Sequence, residues 1–292
     1  MSLSNRRILF SKIFHSLNLS AINTPDWRIT NYFSLINVEN FLKYARSSFT
    51  CNICSARSTP IYDFPNVNHR KNHCISLLSE TLQCRSCHSS MRDRSMAYVL
   101  SSLYFDSNSI LNVSSSPFAF LDTDSFTYSS RHLSASLDHY FQSSFKPDYP
   151  PLYQFSSKRF NIDLQSIPYD NHSFDCVLTS DVMEHVRDDH LAHKEIFRVL
   201  KNSGTYIFTV PFSEKLLSNR VLIDISSDHD IYLEPPHYHG DSLSDKIISY
   251  RIYGLQLIQN LTDIGFHVQF LPLNVPSSGI FGAEVFLARK LK

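Results

Sequence analysis

Two cysteine pairs carry the most sharply defined chemistry in this chain. Cys51-Asn-Ile-Cys54 and Cys84-Arg-Ser-Cys87 each put two thiols on one tight turn. Two intervening residues let both sulfurs face a single tetrahedral ion, while turn amides stabilise their negative charge. Four thiolates complete a tetrahedral shell and leave no position for a substrate, so the ion would be structural. Zinc is the default choice for four sulfurs. The spacer between the pairs is longer than a usual ribbon loop, and two unrelated pairs or a redox motif are the competing readings. His69, His73, Cys74 and His88 are substitute ligands or, more plainly, ordinary loop and core residues. Cys176, inside a strand pattern, reads as a buried apolar side chain.

A second concentration is Glu234-Pro235-Pro236-His237-Tyr238-His239-Gly240-Asp241. An imidazole titrates near neutrality and can take a proton from a polar nucleophile. His237 and His239 are therefore candidate bases, stiffened by the two prolines. The same residues with Asp241 form a metal-ligand set, and a plain structured loop is the bland alternative. Glu184-His185 adds a third candidate base, His185, against a packing or capping role. Asp163, Ser180 and Asp181 each close a strand-like run.

These groups need a scaffold. The pattern MRDRSMAYVLSSLYF (91–105) has a helical period, with Met96, Val99, Leu100 and Leu103 inward. SILNVS (109–114), SFTYSS (125–130), RFNIDL (159–164) and FDCVLTS (174–180) read as strands. Asp188 or Asp189 caps a following helix whose inner face is Ala192, Ile196, Val199 and Leu200, and Gly204 suits the position that ends it. TYIFTV (205–210) is a further strand, closed by Pro211. Residues 212–250 form a polar insertion. Residues 254–266 read as a helix with Leu257, Ile258 and Leu261 inward, and 267–273 and 280–290 as two closing strands. Strands alternating with helices predict a mostly parallel α/β sheet.

The bulk numbers set limits. Lys+Arg and Asp+Glu are both 27, so no global charge favours a nucleic acid or an anionic membrane. A hydrophobic share of 42% with 18% charged residues indicates a folded chain. No apolar run reaches the roughly 20 residues of a membrane span. The basic, amphipathic start MSLSNRRILFSKIFHSLNL lacks a cleavage site and reads as a helix packed on the body, with a surface-membrane helix as the alternative. A reducing, cytoplasmic setting is expected, where cysteine pairs hold metal more often than disulfides. The first of six glycines is Gly204, so serine and asparagine must supply the earlier turns. The expected organisation is a helical segment over 1–48, a zinc ribbon over 49–90, and a large domain over 91–292 with its insertion at 212–250.

The run FDCVLTSDVMEHVRDDHLAHKEIFRVLKNSG resembles the second half of class I S-adenosylmethionine-dependent methyltransferases. The passage CRSCHSSMRDRSMAYVL partly resembles the entry to the first helix in methyltransferases that carry an N-terminal zinc ribbon, of the type 11 kind. The resemblance implies a Rossmann-like seven-stranded methyltransferase sheet with a small N-terminal zinc-ribbon subdomain. It implies S-adenosylmethionine as cofactor beside structural zinc, and a small-molecule or glycan methyl acceptor for O- or N-methylation. An RNA methyltransferase and a non-catalytic module of the same fold are the rival functions. Placed on this sequence, it puts the cofactor's methionine end at Val113, Ser114, Ser115 and Ser116, where serines replace the usual glycines. It assigns the adenine amino group to Asp163 and the adenine ring to Leu164, and turns Ser180 and Asp181 toward the crevice. Arg92 and Arg94 become candidates for a cofactor carboxylate or substrate anion, with a solvated helix start as the alternative. The acid that holds the ribose hydroxyls after strand two is missing.

Overall fold

The computed structural model describes residues 48–62, 82–111, 113–123, 127–239 and 247–291. The expected N-terminal helical segment, and His69, His73, Cys74, Gly240 and Asp241, lie outside the described residues. The chain divides into two compact units: Met1–Ser116 with Phe126–Asp138 and Leu271–Val285, and Pro117–Ser125 with His139–Phe270 and Phe286–Lys292.

In the first unit, two small antiparallel pairs carry the cysteines. β1 (Phe49–Thr50) pairs with β2 (Arg57–Ser58), and β3 (Pro60–Tyr62) with β4 (Leu82–Cys84). Helix α1 (Met91–Tyr104) follows as its period predicts, with Ser90 at its N-cap accepting from the Asp93 amide at 3.1 Å. Its only half-buried position is Arg92; the rest of the helix is buried.

The largest sheet described has eight strands. Its strands are β5 (Phe120–Asp122), β6 (Tyr140–Ser143), β7 (Gln154–Ser156), β8 (Arg159–Phe160), β9 (Phe174–Ser180), β10 (Leu200–Thr209), β17 (Phe266–Val275) and β18 (Ile280–Lys290). Their order is β17-β18-β10-β9-β5-β6-β8-β7. The five strands from β10 to β8 are mutually parallel, and β18 lies antiparallel to β10. This is the expected Rossmann-like methyltransferase sheet, extended from seven strands to eight by the antiparallel edge strand β7. Central strands buried on both faces must be apolar throughout, and Cys176, Val177, Tyr206, Ile207 and Phe208 are fully buried.

Between β9 and β10, helix α3 (Asp189–Val199) turns Ala192, Ile196 and Val199 inward, each fully buried. Each large aliphatic side chain so placed contributes about 1.5–3 kcal/mol. Asp188 is the cap, accepting from the Leu191 amide at 2.9 Å. The left-handed residue after the helix is Ser203 (φ 64), not Gly204. Gly204 answers a different need, since a β-carbon there would lie 2.7 Å from the Lys201 carbonyl oxygen.

Two strand expectations fail. Residues 109–111 and 113–114 are coil and turn, and the first sheet strand is Phe120–Asp122. Of SFTYSS, residues 127–130 form the cap and start of helix α2 (Tyr128–Ser136) instead, because Thr127 accepts from the Ser130 amide as an N-cap and Leu133 is buried one turn on. Among the described residues, seven other than glycine have positive φ, including Ser55, His88, Asp106 and Asp181, which is how a glycine-poor chain makes its turns.

The insertion is ordered where described. β11 (Arg220–Val221) pairs with β16 (Arg251–Ile252), β12 (Ile223–Asp224) with β13 (Ile231–Tyr232), and β14 (Tyr238–His239) with β15 (Ile247–Ile248). Leu222, Ile223 and Tyr250 form its small core. Helix α4 (Gln256–Ile264) then buries Leu257 and Leu261, with Gly265 at φ 116 as its left-handed stop.

Candidate functional site

The first unit brings the four cysteines together. The Sγ atoms of Cys51, Cys54, Cys84 and Cys87 all lie within 4.8 Å of one another. Cys51 to Cys87 and Cys54 to Cys84 are both 3.8 Å. A tetrahedron with zinc–sulfur bonds of about 2.3 Å has edges of about 3.8 Å, so the donor set fits zinc. The two knuckles repeat one another. Ser55 N–H donates to the Cys51 carbonyl at 2.8 Å and His88 N–H to the Cys84 carbonyl at 2.9 Å, with φ of 54 and 56 at the donors. Cys51 N–H reaches the Ala56 carbonyl and Cys84 N–H the Ser89 carbonyl, both at 3.0 Å. His88 is thus a turn residue of the second knuckle.

Arg94 does not face a cofactor carboxylate. Its guanidinium is fully buried and donates to the carbonyls of Ser89 (2.5 Å), Leu82 (3.1 Å) and Gly279 (2.8 Å). Val113, Ser114, Ser115 and Ser116 lie in coil that precedes the first sheet strand instead of following it. Val113, Ser114 and Ser115 line an open cleft of about 320 Å³ with Tyr104, Phe105, Asp106 and Ser107.

The second unit has a crevice where the strand order reverses. From β5 the chain winds outward to β6 and β8, then returns to β9 on the other side. Ligands of open α/β sheets bind outside the carboxyl ends of strands at such a point. Asp122 ends β5, almost fully buried, and accepts from the Tyr140 hydroxyl at 2.6 Å. Thr123 follows, its amide on the Leu178 carbonyl of β9 at 3.0 Å. Sequence reasoning missed Asp122 because its strand is only three residues long. The signal was the run Ala-Phe-Leu closed by Asp-Thr-Asp.

Strand β6 ends in Gln142 and Ser143, followed by Ser144, so this end too lacks an acid. After β8, Asp163 caps its own turn, accepting from the Gln165 amide at 2.9 Å and its side-chain amide at 3.1 Å. Gln165 in turn accepts from the Asp188 amide at 3.0 Å, which ties this carboxylate to the cap of α3. Leu164 is buried.

At the end of β9, Ser180 is half-buried and Asp181 takes φ 47, a left-handed conformation rare outside glycine. Next come Met183–His185 in one 3₁₀ turn. Glu184 is fully buried, 3.6 Å from Nε2 of His185. Nδ1 of His185 lies 2.7 Å from the Ile248 carbonyl, which can only accept, so Nδ1 carries the proton. Arg251 donates to the carbonyls of Met183 (3.1 Å), Val186 (2.6 Å) and Arg187 (2.5 Å), and pins the whole turn.

His237 is more exposed than His185: its side chain is 42% accessible against 15%, with Glu234 3.9 Å away. The backbone of His239 pairs with Ile247. Nearby, Arg187 holds the Asp230 carboxyl below its usual range, and burial with the Asp230 hydrogen bond pushes the Tyr250 hydroxyl up to about 12.

Residues 135–208 match the family model described as a methyltransferase domain. The match begins beyond β5. An uncharacterized 37.1 kDa protein in transposon TN4556 of Streptomyces fradiae is 28% identical over 119 residues, 41% of this chain and 31% of that protein. The chain therefore matches less than a third of that relative's length. Among solved structures, an S-adenosylmethionine-dependent methyltransferase from Methanosarcina mazei is 16% identical, with 60% of this chain and 92% of that chain covered and a TM-score of 0.37. A Burkholderia thailandensis 1,6-didemethyltoxoflavin-N1-methyltransferase is 15% identical, covering 60% and 72%, with a TM-score of 0.34. A chain of the complex between the Haloferax volcanii Trm112 methyltransferase activator and a methyltransferase is 15% identical, covering 59% and 82%, with a TM-score of 0.39. Among the described residues, no helix is long and apolar enough to cross a membrane.

Proposed function

We propose that this chain is an S-adenosylmethionine-dependent methyltransferase of a small molecule or glycan, with structural zinc in its four-cysteine centre. The observation that supports it most is the order of the parallel strands, whose carboxyl ends at β5, β8 and β9 carry or lead into Asp122, Asp163, Ser180 and Asp181, in or beside the matched methyltransferase segment. The donor set suits the cofactor. Asp163 accepts from the adenine amino group and buried Leu164 packs the ring. Ser143 and Ser144 offer hydroxyls toward the ribose, and Asp122 and Asp181 favour a cationic sulfonium. When bound, S-adenosylmethionine supplies an electrophilic methyl group.

The chain's own residues then orient an acceptor and take its proton. His185 is the best held of the three candidate bases, with Ile248 fixing its tautomer. His237 and His239 sit on the insertion, where they recognise a polar acceptor or act as base in its stead. Arg187 and Asp230 anchor that arm.

Calorimetry with S-adenosylmethionine and S-adenosylhomocysteine tests the reading. Micromolar binding, weakened about tenfold or more by Asp163→Ala as a hydrogen bond to a charged group requires, supports it. No binding at millimolar cofactor would sink the enzyme and leave a non-catalytic module, which the lack of glycine in the sequence Thr123-Asp124-Ser125 favours. Salt-sensitive binding of transfer or ribosomal RNA would replace the small acceptor with RNA.

A further inference from the structure

We infer that Arg94 is the counter-charge of the four-cysteine centre, an inference that rests on the zinc reading above. A guanidinium stays protonated in proteins, and burying it is costly unless a negative charge lies close by. Arg94 is 0% exposed, on the first turn of α1. Its hydrogen-bond partners are the three carbonyls of Ser89, Leu82 and Gly279, and its face lies 4.9 Å from the Phe49 ring centre. Carbonyls and a ring supply dipoles and no net charge, and Nε has no hydrogen-bond partner.

The groups whose negative charge acts on the guanidinium are Cys51, Cys84, Asp93 and Cys87. Asp93, which accepts from the Ser129 hydroxyl, supplies one of these charges. The other three groups are cysteines of the centre. A divalent ion on four thiolates leaves the centre net negative, and that surplus is what a buried guanidinium neutralises.

The connection between ligand and counter-charge is short. The Ser89 hydroxyl lies 3.2 Å from the Cys87 sulfur and 3.6 Å from the Cys51 sulfur, while the Ser89 carbonyl accepts from Arg94. On the far side of the guanidinium, Gly279 has φ 69, and a β-carbon there would come within 2.7 Å of the Phe49 ring. This close approach lets a backbone carbonyl 185 residues away in sequence reach Arg94. Metal charge, ribbon and the Leu271–Val285 segment of the same unit are thus tied through one side chain.

The test uses the full chain. Wild type, Arg94→Lys and Arg94→Met are loaded with zinc and titrated with a competing chromophoric chelator. Cobalt(II) absorption reports the tetrathiolate geometry without any need for activity. Arg94→Met should weaken zinc about 10–100-fold, the range for losing a partner just outside the ligand shell, while the cobalt spectrum stays tetrahedral. Arg94→Lys keeps the charge and should stay within about threefold of wild type, below that range. Equal zinc affinity in wild type and Arg94→Met overturns the proposal. So does an equal loss of melting temperature in metal-loaded and chelated Arg94→Met, since a purely structural arginine costs the same in both. If Arg94→Met does not fold, the melting shift on zinc addition decides with Arg94→Lys: a wild-type shift supports the charge, and a collapsed shift overturns it in favour of the carbonyl fork. Wild type that takes up no zinc refutes the zinc reading first, and the Arg94 assignment with it.

Discussion

Thr209, the last residue of β10, donates its hydroxyl to the Asp181 carboxylate at 2.7 Å, across the carboxyl ends of two parallel strands. The Asp181 amide answers by donating to the Thr209 carbonyl at 3.1 Å. The two residues lock a left-handed turn at the mouth of the crevice. Holding a residue other than glycine there costs about 1–2 kcal/mol, and aspartate meets that cost with its side-chain bond.

Thr209→Val removes the hydroxyl and keeps the shape. The loss of one hydrogen bond predicts about 1 kcal/mol of lost stability, read from urea midpoints. Because Asp181 then loses its anchor, cofactor affinity should fall by more than the stability change alone accounts for. Asp181→Gly should recover the backbone strain while still binding cofactor weakly. Calorimetry beside the melts separates the two effects, and unchanged affinity in both variants would remove Asp181 from the site.

His193 predicts a pH dependence. It is buried against Tyr206 and Phe208 with no hydrogen-bond partner on either ring nitrogen. Burial lowers its pKa from 6.5 to about 4, with Asp189 opposing and Arg251 and His190 reinforcing the shift. The unfolded chain therefore binds this proton at higher pH than the folded one. Stability from this site is complete above about pH 6.5 and drains away as pH falls toward 4. Its size is about 3 kcal/mol at 1.36 kcal/mol per pKa unit. Urea midpoints at pH 7.5, 6, 5 and 4.5 should show the decline, and His193→Phe should flatten it. An undiminished slope in that variant would assign the acid sensitivity elsewhere.

The parts of this molecule that were legible in sequence are those whose signal is local. Asp188, Ala192, Ile196 and Val199 gave α3 its cap and its face, because a helix repeats its period over many residues. Phe174–Ser180 is long enough for the apolar run Cys176-Val177-Leu178 to mark a central strand. The cysteine pairs needed only two-residue spacings. By contrast, Ile110 and Val113 satisfy their apolar character in a turn, where the Val113 amide reaches the Ile110 carbonyl at 3.2 Å and no strand forms. The true first strand, Phe120–Asp122, is too short for any period to register. That displaced the expected glycine-loop equivalent to Ser114–Ser116 and hid Asp122. The buried partner of Arg94 was equally out of reach, since Gly279 enters from the other end of the chain.

Arg251 carries the last prediction. It stands just past the insertion, almost fully buried, and its guanidinium gathers the carbonyls of Met183, Val186 and Arg187 while Nη1 lies 3.5 Å from Asp189. One side chain thereby fixes the turn that presents His185. Tyr253 adds a hydroxyl to Asp189 at 3.0 Å, so the return of the insertion grips α3 at its start. Arg251→Met takes the guanidinium from three carbonyls and the charge partner from Asp189, which predicts a loss of about 3–5 kcal/mol, as for breaking a buried charged pair. Arg251→Lys keeps the charge but cannot span three carbonyls, so it should lose less stability than Arg251→Met yet release the turn. The readout for release is the His185 ring: in wild type, nitrogen-15 NMR should show Nδ1 protonated against Ile248, and in Arg251→Lys the two tautomers should mix. A single unshifted tautomer in the lysine variant would mean that the turn holds itself, and that Arg251 serves stability alone.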